Sequence, residues 1–109
     1  MVKRYKIRIT PKAQLDLQNI IQYLRKEQSD TVADNVKDGI LKAIDKLETF
    51  PEVHKKFEEL CTEQVVFRRM LQWKYKIVFT IDKDELVVLV VKIYHGRQSQ
   101  EDIIEELTP

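Results

Sequence analysis

Glycine, cysteine and histidine are scarce in this chain of 109 residues, which has two glycines, one cysteine and two histidines. Two glycines are too few for the loops that cradle nucleotide phosphates, so we predict no cofactor. The single cysteine, Cys61, excludes an intramolecular disulfide. Neither His54 nor His95 has a partner at the spacing of metal ligands, so we also predict no metal site.

Long apolar segments are also absent. No run approaches the about eighteen apolar residues that cross a bilayer, and the N-terminus lacks the pattern of a signal peptide. The composition, 43% hydrophobic and 34% charged, is typical of a compact globular protein. We therefore expect a cytoplasmic protein that makes no contact with a membrane.

The net charge of +1 is divided unevenly along the chain. The last eleven residues carry four acids and no base, and removing those four negative charges leaves +5 on residues 1–98. A mildly basic body suits an anionic partner, either nucleic acid or an acidic protein segment. We predict a domain over 1–98 and an acidic helical tail over 99–109, in which Ser99 and Asp102 resemble a capping box. The tail either packs on the body or stays mobile over its basic face.

Two long helices follow an N-terminal strand in the predicted order of elements. Alternating apolar and basic residues predict a strand over 3–9, and apolar residues at helical spacing predict a helix over 11–27. A second helix, capped by Ser29 or Asp30, carries an apolar stripe to Leu47 and is ended by Phe50-Pro51. Since the connection is short, the two helices should form an antiparallel hairpin.

The C-terminal half reads as a three-stranded antiparallel meander between Val65 and Arg97, with turns at Gln72-Trp73 and Lys83-Asp84. Residues 51–63 are predicted to form a connecting loop with one helical turn. Together these elements make an α+β fold in which the helix hairpin covers one face of the sheet. The apolar residues on that face are Tyr75, Ile77, Phe79, Ile81, Leu86, Val88 and Val90.

The other sheet face carries the candidate functional residues. With the predicted turns, Arg69 faces Lys76, Lys76 faces Val91, and His95 lies on the same side. Like charges across a hairpin are destabilising by roughly 0.2–1 kcal/mol, so we expect an anion between Arg69 and Lys76. Lys92 should point to the helix side and extend outward at the sheet margin.

The order and spacing of these segments resemble the RelE/ParE family of toxins from type II toxin–antitoxin systems, which includes plasmid stabilisation proteins. The long helix hairpin and the His-Gly-Arg ending are more similar to the ParE branch. The segments that carry the resemblance are Ile9-Thr10-Pro11-Lys12-Ala13 with Leu17, Leu47 with Phe50-Pro51, Phe67-Arg68-Arg69, Tyr75-Lys76-Ile77-Val78-Phe79, and the stretch from Val88 to Tyr94-His95-Gly96-Arg97.

Membership of this bacterial family implies growth arrest by one of two routes. One is ribosome-dependent cleavage of mRNA as an mRNA interferase without a metal, and the other is poisoning of DNA gyrase. By position, Arg69, Lys76 and His95 match residues of the RNA-cutting branch and become the predicted catalytic group, although Lys76 stands where arginine is usual. The residues expected to contact nucleic acid are Arg97, Arg68 and Tyr94.

These residues allow a specific mechanism for RNA cleavage, in which a 2′-hydroxyl attacks the adjacent phosphate. Arg69, Lys76 and Arg97 would stabilise the developing charge, and His95 would transfer a proton. Tyr94 would stack on a base, although alternation places it on the side opposite His95. Arg68 alternates away from Arg69 and is also expected to pair with a helix carboxylate.

Two other interpretations stay open. A toxin that binds gyrase needs only a basic face and the exposed helix hairpin, and His95 is then a strand-end residue. A degenerate toxin would retain only the binding of its antitoxin, through an acidic amphipathic helix on the basic face. The apolar strand surface on that face should be exposed without the antitoxin and should favour a homodimer of the free chain. Trp73 is interpreted as a packing or edge residue at its turn.

Overall fold

A computed structural model describes residues 3–108; Met1, Val2 and Pro109, at the ends of the predicted domain and tail, lie outside the described residues. The α+β fold is confirmed. The described residues form five strands and three α-helices, joined in part by short 3₁₀ turns. Their bounds are β1 Lys6–Ile9, α1 Pro11–Glu27, α2 Asp30–Asp45, β2 Lys55–Lys56, β3 Phe67–Gln72, β4 Tyr75–Asp82, β5 Val87–His95 and α3 Gln100–Leu107.

The helix hairpin forms where the sequence predicts it. The Ala13 N–H donates to Thr10 Oγ1 at 3.1 Å, and the Val32 N–H donates to Ser29 Oγ at 3.1 Å, so each hydroxyl caps its helix. The second helix ends at Asp45, before the predicted end at Phe50-Pro51, and passes into a 3₁₀ turn. Phe50 then adopts a left-handed backbone with φ of 53° before Pro51, which ends the helical segment.

The sheet has the order β1-β5-β4-β3-β2. The meander β3-β4-β5 is antiparallel as predicted, whereas β1 pairs in parallel with β5 and makes the sheet mixed. The strand β2, only two residues long, lies within the predicted loop and pairs with β3. Two residues are too short to show an alternating pattern, so the sequence does not indicate this strand.

Both predicted turns are wrong by small shifts. The β3–β4 turn is Trp73-Lys74, one residue later than expected, and Trp73 is left-handed with φ of 52°. The β4–β5 connection takes up residues 83–86. It is longer because Asp82 Oδ1 accepts the N–H groups of Asp84 and Glu85, at 3.1 and 3.0 Å, and closes a side-chain turn.

Helices cover both sheet faces. The predicted apolar face packs under α1 and α2 and forms the main core, which confirms that prediction. A second cluster on the opposite face joins Phe57, Leu60, Val78 and Tyr94 to Ile103 of α3. The tail therefore packs on the body, the first of the two predicted arrangements. Ser99 precedes α3, but its side chain makes no capping hydrogen bond.

Candidate functional site

A β-bulge in β5 determines which candidate residues share a face. Val78 pairs with Lys92 and the next residue, Phe79, pairs with Val90, so Val91 is an extra residue without a partner on β4. The extra residue reverses the alternation along β5. Residues after the bulge therefore point to the face opposite that expected from simple counting.

The bulge and the shifted turn correct the predicted grouping. Arg69 faces Val78 and Lys76 faces Leu71, so these two cations share a face but are not opposite each other. Lys76 faces Tyr94 on β5, not Val91, and His95 pairs with Tyr75 on the face that α1 and α2 cover. Arg69, Lys76 and Tyr94 are thus brought to one side of the sheet, and His95 is placed on the other.

The guanidinium of Arg69 is held in place by contacts to Phe57 and Gln100. Its guanidinium carbon lies 4.3 Å from the centre of the Phe57 ring, which is a cation–π contact. Nη1 donates to Oε1 of Gln100, the first residue of α3, at 3.4 Å. These contacts align the guanidinium with α3, so an anionic ligand at Arg69 would have to displace the Gln100 side chain or bind beside it.

Tyr94 lies beneath α3 and is only 2% exposed. Its hydroxyl has no hydrogen-bond partner within the described part of the chain. The ring cannot stack on a base while α3 covers it. The apolar strand surface expected to be exposed in the free chain is likewise covered, so that argument for a homodimer is wrong.

His95 occupies a different environment, at the end of β5. Its ring meets the Tyr75 ring edge to face, with 5.4 Å between centroids. Nδ1 accepts the N–H of Arg97 at 3.0 Å, so the neutral imidazole carries its proton on Nε2 and acts there as a donor. Burial lowers the pKa of His95, and the charges of Arg97 and Lys74 lower it further. His95 is therefore neutral at pH 7, without a free basic nitrogen.

Arg97 and Arg68, the other predicted contacts to nucleic acid, differ in exposure. The Arg97 residue is exposed beside His95. Arg68 donates through Nη1 to the backbone carbonyls of Glu52 and His54, at 3.0 and 2.8 Å. The expected partner of Arg68, a helix carboxylate, is wrong, because the guanidinium instead fastens the loop before β2 to β3.

A charge network centred on the buried Lys92, which the sequence did not indicate, ties α1, β5 and α3 together. Lys92 is 6% exposed and contacts Asp16 and Glu106, and Glu106 also pairs with Lys12 at 2.8 Å. Lys92 therefore turns inward instead of extending to the margin. The sequence signal for a buried charge was a lysine inside the apolar run VVLVVKIY. The partners of that lysine are distant in sequence and could not be identified from it.

No helix within residues 3–108 is both long enough and apolar enough to cross a membrane. Within the same range, no three or more histidine, cysteine, aspartate or glutamate side chains are grouped so that they could hold a metal ion. The candidate side chains at the two sheet faces are Arg69, Lys76 and Tyr94 on one side and His95 on the other.

The family described as the ParE toxin of the type II toxin–antitoxin system parDE matches residues 7–100. The chain belongs to the ParE toxin family. Within the wider RelE/ParE group it therefore lies near the ParE branch, as the sequence resemblance predicts. Membership makes it a toxin-family protein of a type II toxin–antitoxin system.

Solved structures share the fold of this ParE-family chain. A chromosomal ParDE system from P. aeruginosa matches with a TM-score of 0.67 and 14% identity over 85% of this chain and 97% of that chain. The RelE-RelB complex of Pyrococcus horikoshii OT3 matches with a TM-score of 0.61 and 16% identity, over 88% and 99% of the two chains. The RelBE2 complex of Mycobacterium tuberculosis matches with 0.53 and 21%, over 84% and 91%. Comparison with curated proteins gives no significant match.

Proposed function

We propose that this ParE-family chain arrests growth by poisoning DNA gyrase, and that a cognate antitoxin neutralises it. One observation carries the choice between the two routes of the family. The bulge at Val91 puts His95 on the sheet face opposite Arg69 and Lys76. Separation of these groups counts against an RNase site built from the three of them.

Cleavage of RNA by its own 2′-hydroxyl requires a proton acceptor and a charge-stabilising group at the same phosphate. Side chains on opposite faces of a strand point away from each other and cannot both reach one phosphate. The only lone pair of neutral His95, on Nδ1, already accepts the N–H of Arg97. The arrangement therefore favours a toxin that acts by binding its target.

A gyrase poison needs exposed contact groups and no proton transfer by the toxin. Lys74 and Arg97 are exposed beside His95. Lys76, two residues after Lys74 and within β4, is half-buried. No ion pair within residues 3–108 involves these three cations. They supply a positively charged sheet end that suits either the DNA bound by gyrase or an acidic surface of the enzyme.

The antitoxin half of the proposal rests on the family and on the structural neighbours. The ParDE, RelE-RelB and RelBE2 structures are toxin–antitoxin systems or complexes of other proteins with this fold. In this chain of the same family the charge is unevenly distributed, and the mainly basic body suits an acidic antitoxin segment.

The test is a plasmid assay with purified full-length protein, DNA gyrase and ATP. We expect linear plasmid to accumulate and supercoiling to stop, with both effects reversed by the cognate antitoxin. A parallel cell-free translation reaction, with mRNA ends mapped by primer extension, should show no new cuts. Cuts at ribosomal A-site codons with unaffected gyrase would overturn the gyrase proposal in favour of the nuclease. A chain that binds antitoxin but inhibits neither system would be an antitoxin-binding module without toxicity.

A further inference from the structure

Three cations converge at the end of the sheet where β4 begins and β5 ends. We call this surface the basic sheet end and define it by Lys74, Lys76, Arg97 and the neighbouring Tyr23 of α1. The Gly96 N–H donates to the Lys74 carbonyl at 2.7 Å, which ties the β3–β4 turn to the turn after β5. A Cβ at Gly96 would lie only 3.2 Å from that carbonyl oxygen and 3.8 Å from Cε of Lys76. Glycine therefore lets the two turns close, with the Lys76 side chain beside them.

Hydrogen bonds also fix the turn that presents Arg97. The Arg97 N–H donates to Nδ1 of His95 at 3.0 Å, and the Gln98 N–H donates to the His95 carbonyl at 2.9 Å. Burial lowers the pKa of His95, and the charges of Arg97 and Lys74 lower it further, so both cations act on the same imidazole. The guanidinium of Arg97 and the amine of Lys74 are thus held near each other by the backbone.

No negative charge within residues 3–108 offsets this convergence. In that range, no carboxylate lies within 4.0 Å of the side-chain nitrogens of Lys74, Lys76 or Arg97. Other exposed cations, such as Arg4 and Arg25, do have carboxylate partners. Like charges held together raise the electrostatic free energy of the folded chain, and an anion from outside lowers it. The basic sheet end is therefore suited to an anionic partner.

Tyr23 extends the surface onto α1 with an uncharged donor. The residue is 64% exposed. Burial raises the pKa of Tyr75, and the nearby Tyr23 phenol raises it further, which places Tyr23 close to Tyr75. The Tyr75 ring in turn meets the His95 ring edge to face, with 5.4 Å between centroids. Three neighbouring rings thus connect the exposed Tyr23 hydroxyl to the turn that carries Arg97.

The exposed Trp73, which precedes Lys74, belongs to a different surface. A Cβ at Gly39 of α2 would lie 2.5 Å from Cζ3 and 3.1 Å from Cζ2 of Trp73, so the indole rests on the helix where glycine has no side chain. The indole is therefore directed toward α2. The surface at the sheet end is left to the charged residues.

The composition of the basic sheet end favours a phosphate backbone over a protein surface. Its groups are three cations and a phenol, with no aliphatic side chain among them. The cores of protein–protein interfaces are depleted of charged residues, whereas protein–DNA interfaces are more polar and strongly positive. Lysine, arginine and tyrosine side chains are also among those that contact phosphate oxygens in protein–DNA complexes.

We propose that the basic sheet end binds the phosphate backbone of duplex DNA. Lys74, Lys76 and Arg97 contact phosphate oxygens, and the Tyr23 hydroxyl donates a further hydrogen bond. This inference rests on the proposed function and deepens it, because it names DNA, and not a surface of the gyrase protein, as what the cations of the toxin contact. Contacts to the backbone carry no sequence information, so binding should be similar for duplexes of unrelated sequence.

The test measures binding of the full-length chain to a short, fluorescently labelled DNA duplex without gyrase, by anisotropy over a range of salt concentrations. The charge variant is Lys74→Gln with Arg97→Gln, and the hydroxyl variant is Tyr23→Phe. The matched control is Lys56→Gln with Lys83→Gln, which removes two exposed charges at a cleft near the opposite end of β4. Thermal unfolding of each variant checks the fold, and the gyrase cleavage assay is run beside the binding.

Each lost phosphate contact should reduce the slope of log K against log salt by about 0.9, so three contacts give a slope of about −2.7 and the charge variant about −0.9. The charge variant should also bind about tenfold more weakly at physiological salt. Tyr23→Phe should weaken binding about threefold with an unchanged slope, because its hydroxyl is uncharged. The control should keep the slope of the unaltered chain.

Absence of DNA binding by the unaltered chain, or equal slopes for the charge variant and the control, would overturn the DNA assignment and leave gyrase poisoning in place. Loss of gyrase poisoning by the charge variant with unchanged DNA binding would also overturn it, and would assign the basic sheet end to an acidic surface of the gyrase protein. A chain that binds DNA as expected but does not poison gyrase would instead overturn the proposed function and keep the DNA site.

Discussion

Lys92 of β5 and Asp16 of α1 form an ion pair that is nearly excluded from solvent, with 2.9 Å between Nζ and Oδ1. The other oxygen, Oδ2, accepts the N–H of Ile93 at 3.1 Å, on the part of β5 beyond its pairing with β1. One carboxylate thus neutralises a buried cation and satisfies a free strand edge. Burial alone lowers the pKa of Lys92, but its hydrogen bonds to Asp16 and Glu106 outweigh this effect and raise it.

Replacing Asp16 with Ala should lower the free energy of unfolding by about 3 kcal/mol or more, because it leaves a buried charge and a strand N–H without their partner. Urea denaturation measures the change. The matched control is Glu48→Gln, which removes the exposed pair between Arg4 and Glu48 at 2.8 Å and should cost under about 1 kcal/mol. Similar losses in both variants would show that the buried pair has no special weight.

Acid should loosen α3 through Glu106. A hydrogen bond from Lys12 lowers the pKa of Glu106, burial partly opposes this, and Lys92 lowers it again, so the folded value lies below the ordinary 4.5. A lowered folded pKa means that the stabilisation is present above pH 4.5 and is lost as pH falls through the folded value. Methyl NMR signals of Ile103, recorded from pH 7 to pH 3, should report the loosening of the helix.

The comparison for the acid titration uses two neighbouring glutamates. Glu106→Gln should weaken α3 packing already at neutral pH and flatten the Ile103 titration. Glu105→Gln changes an exposed neighbour on the same helix and should keep the original curve. An identical acid transition in the Glu106→Gln variant would mean that another carboxylate controls the docking of α3.

A double-mutant cycle can isolate the contact between Gly39 and Trp73. Gly39→Ala alone should destabilise the chain and shift tryptophan fluorescence to the red, because the new methyl group displaces the indole into water. In a Trp73→Ala background the same change should instead stabilise α2 by about 1 kcal/mol, the ordinary gain of alanine over glycine in a helix. Gly39→Ala that stabilises both backgrounds equally would rule out the contact.

Toxicity should depend on the cations and not on the histidine. His95→Gln should leave growth arrest intact, because a target-binding toxin needs no proton transfer from this side chain. Lys76→Ala combined with Arg97→Ala should abolish growth arrest while the chain stays folded. Growth after induction, with melting temperatures of the purified variants, measures both effects. Lys26→Ala with Lys83→Ala is the control for charge, and loss of toxicity in His95→Gln would favour the nuclease route.

Periodicity in the sequence was sufficient for the helix hairpin and for the apolar side of the meander. Both depend on neighbours a few residues apart, such as the Thr10 hydroxyl that caps the N–H of Ala13. The family was also readable from the sequence, because its segments occur in order along almost the whole chain. The predicted catalytic group of Arg69, Lys76 and His95 was not readable from the sequence. Assigning side chains to a sheet face by counting assumes a regular strand, and the bulge at Val91 breaks that regularity.

The sequence by itself determined the order of the helices and of the longer strands, the acidic amphipathic tail and the toxin family, all of which follow from local patterns along the chain. Tertiary structure decided which side of the sheet each charged residue occupies. A single bulged residue, Val91, moved His95 away from Arg69 and Lys76. The partners of Lys92 and the seat of Trp73 on Gly39 also came only from the fold, because they join residues distant in sequence whose contact depends on how the helices pack.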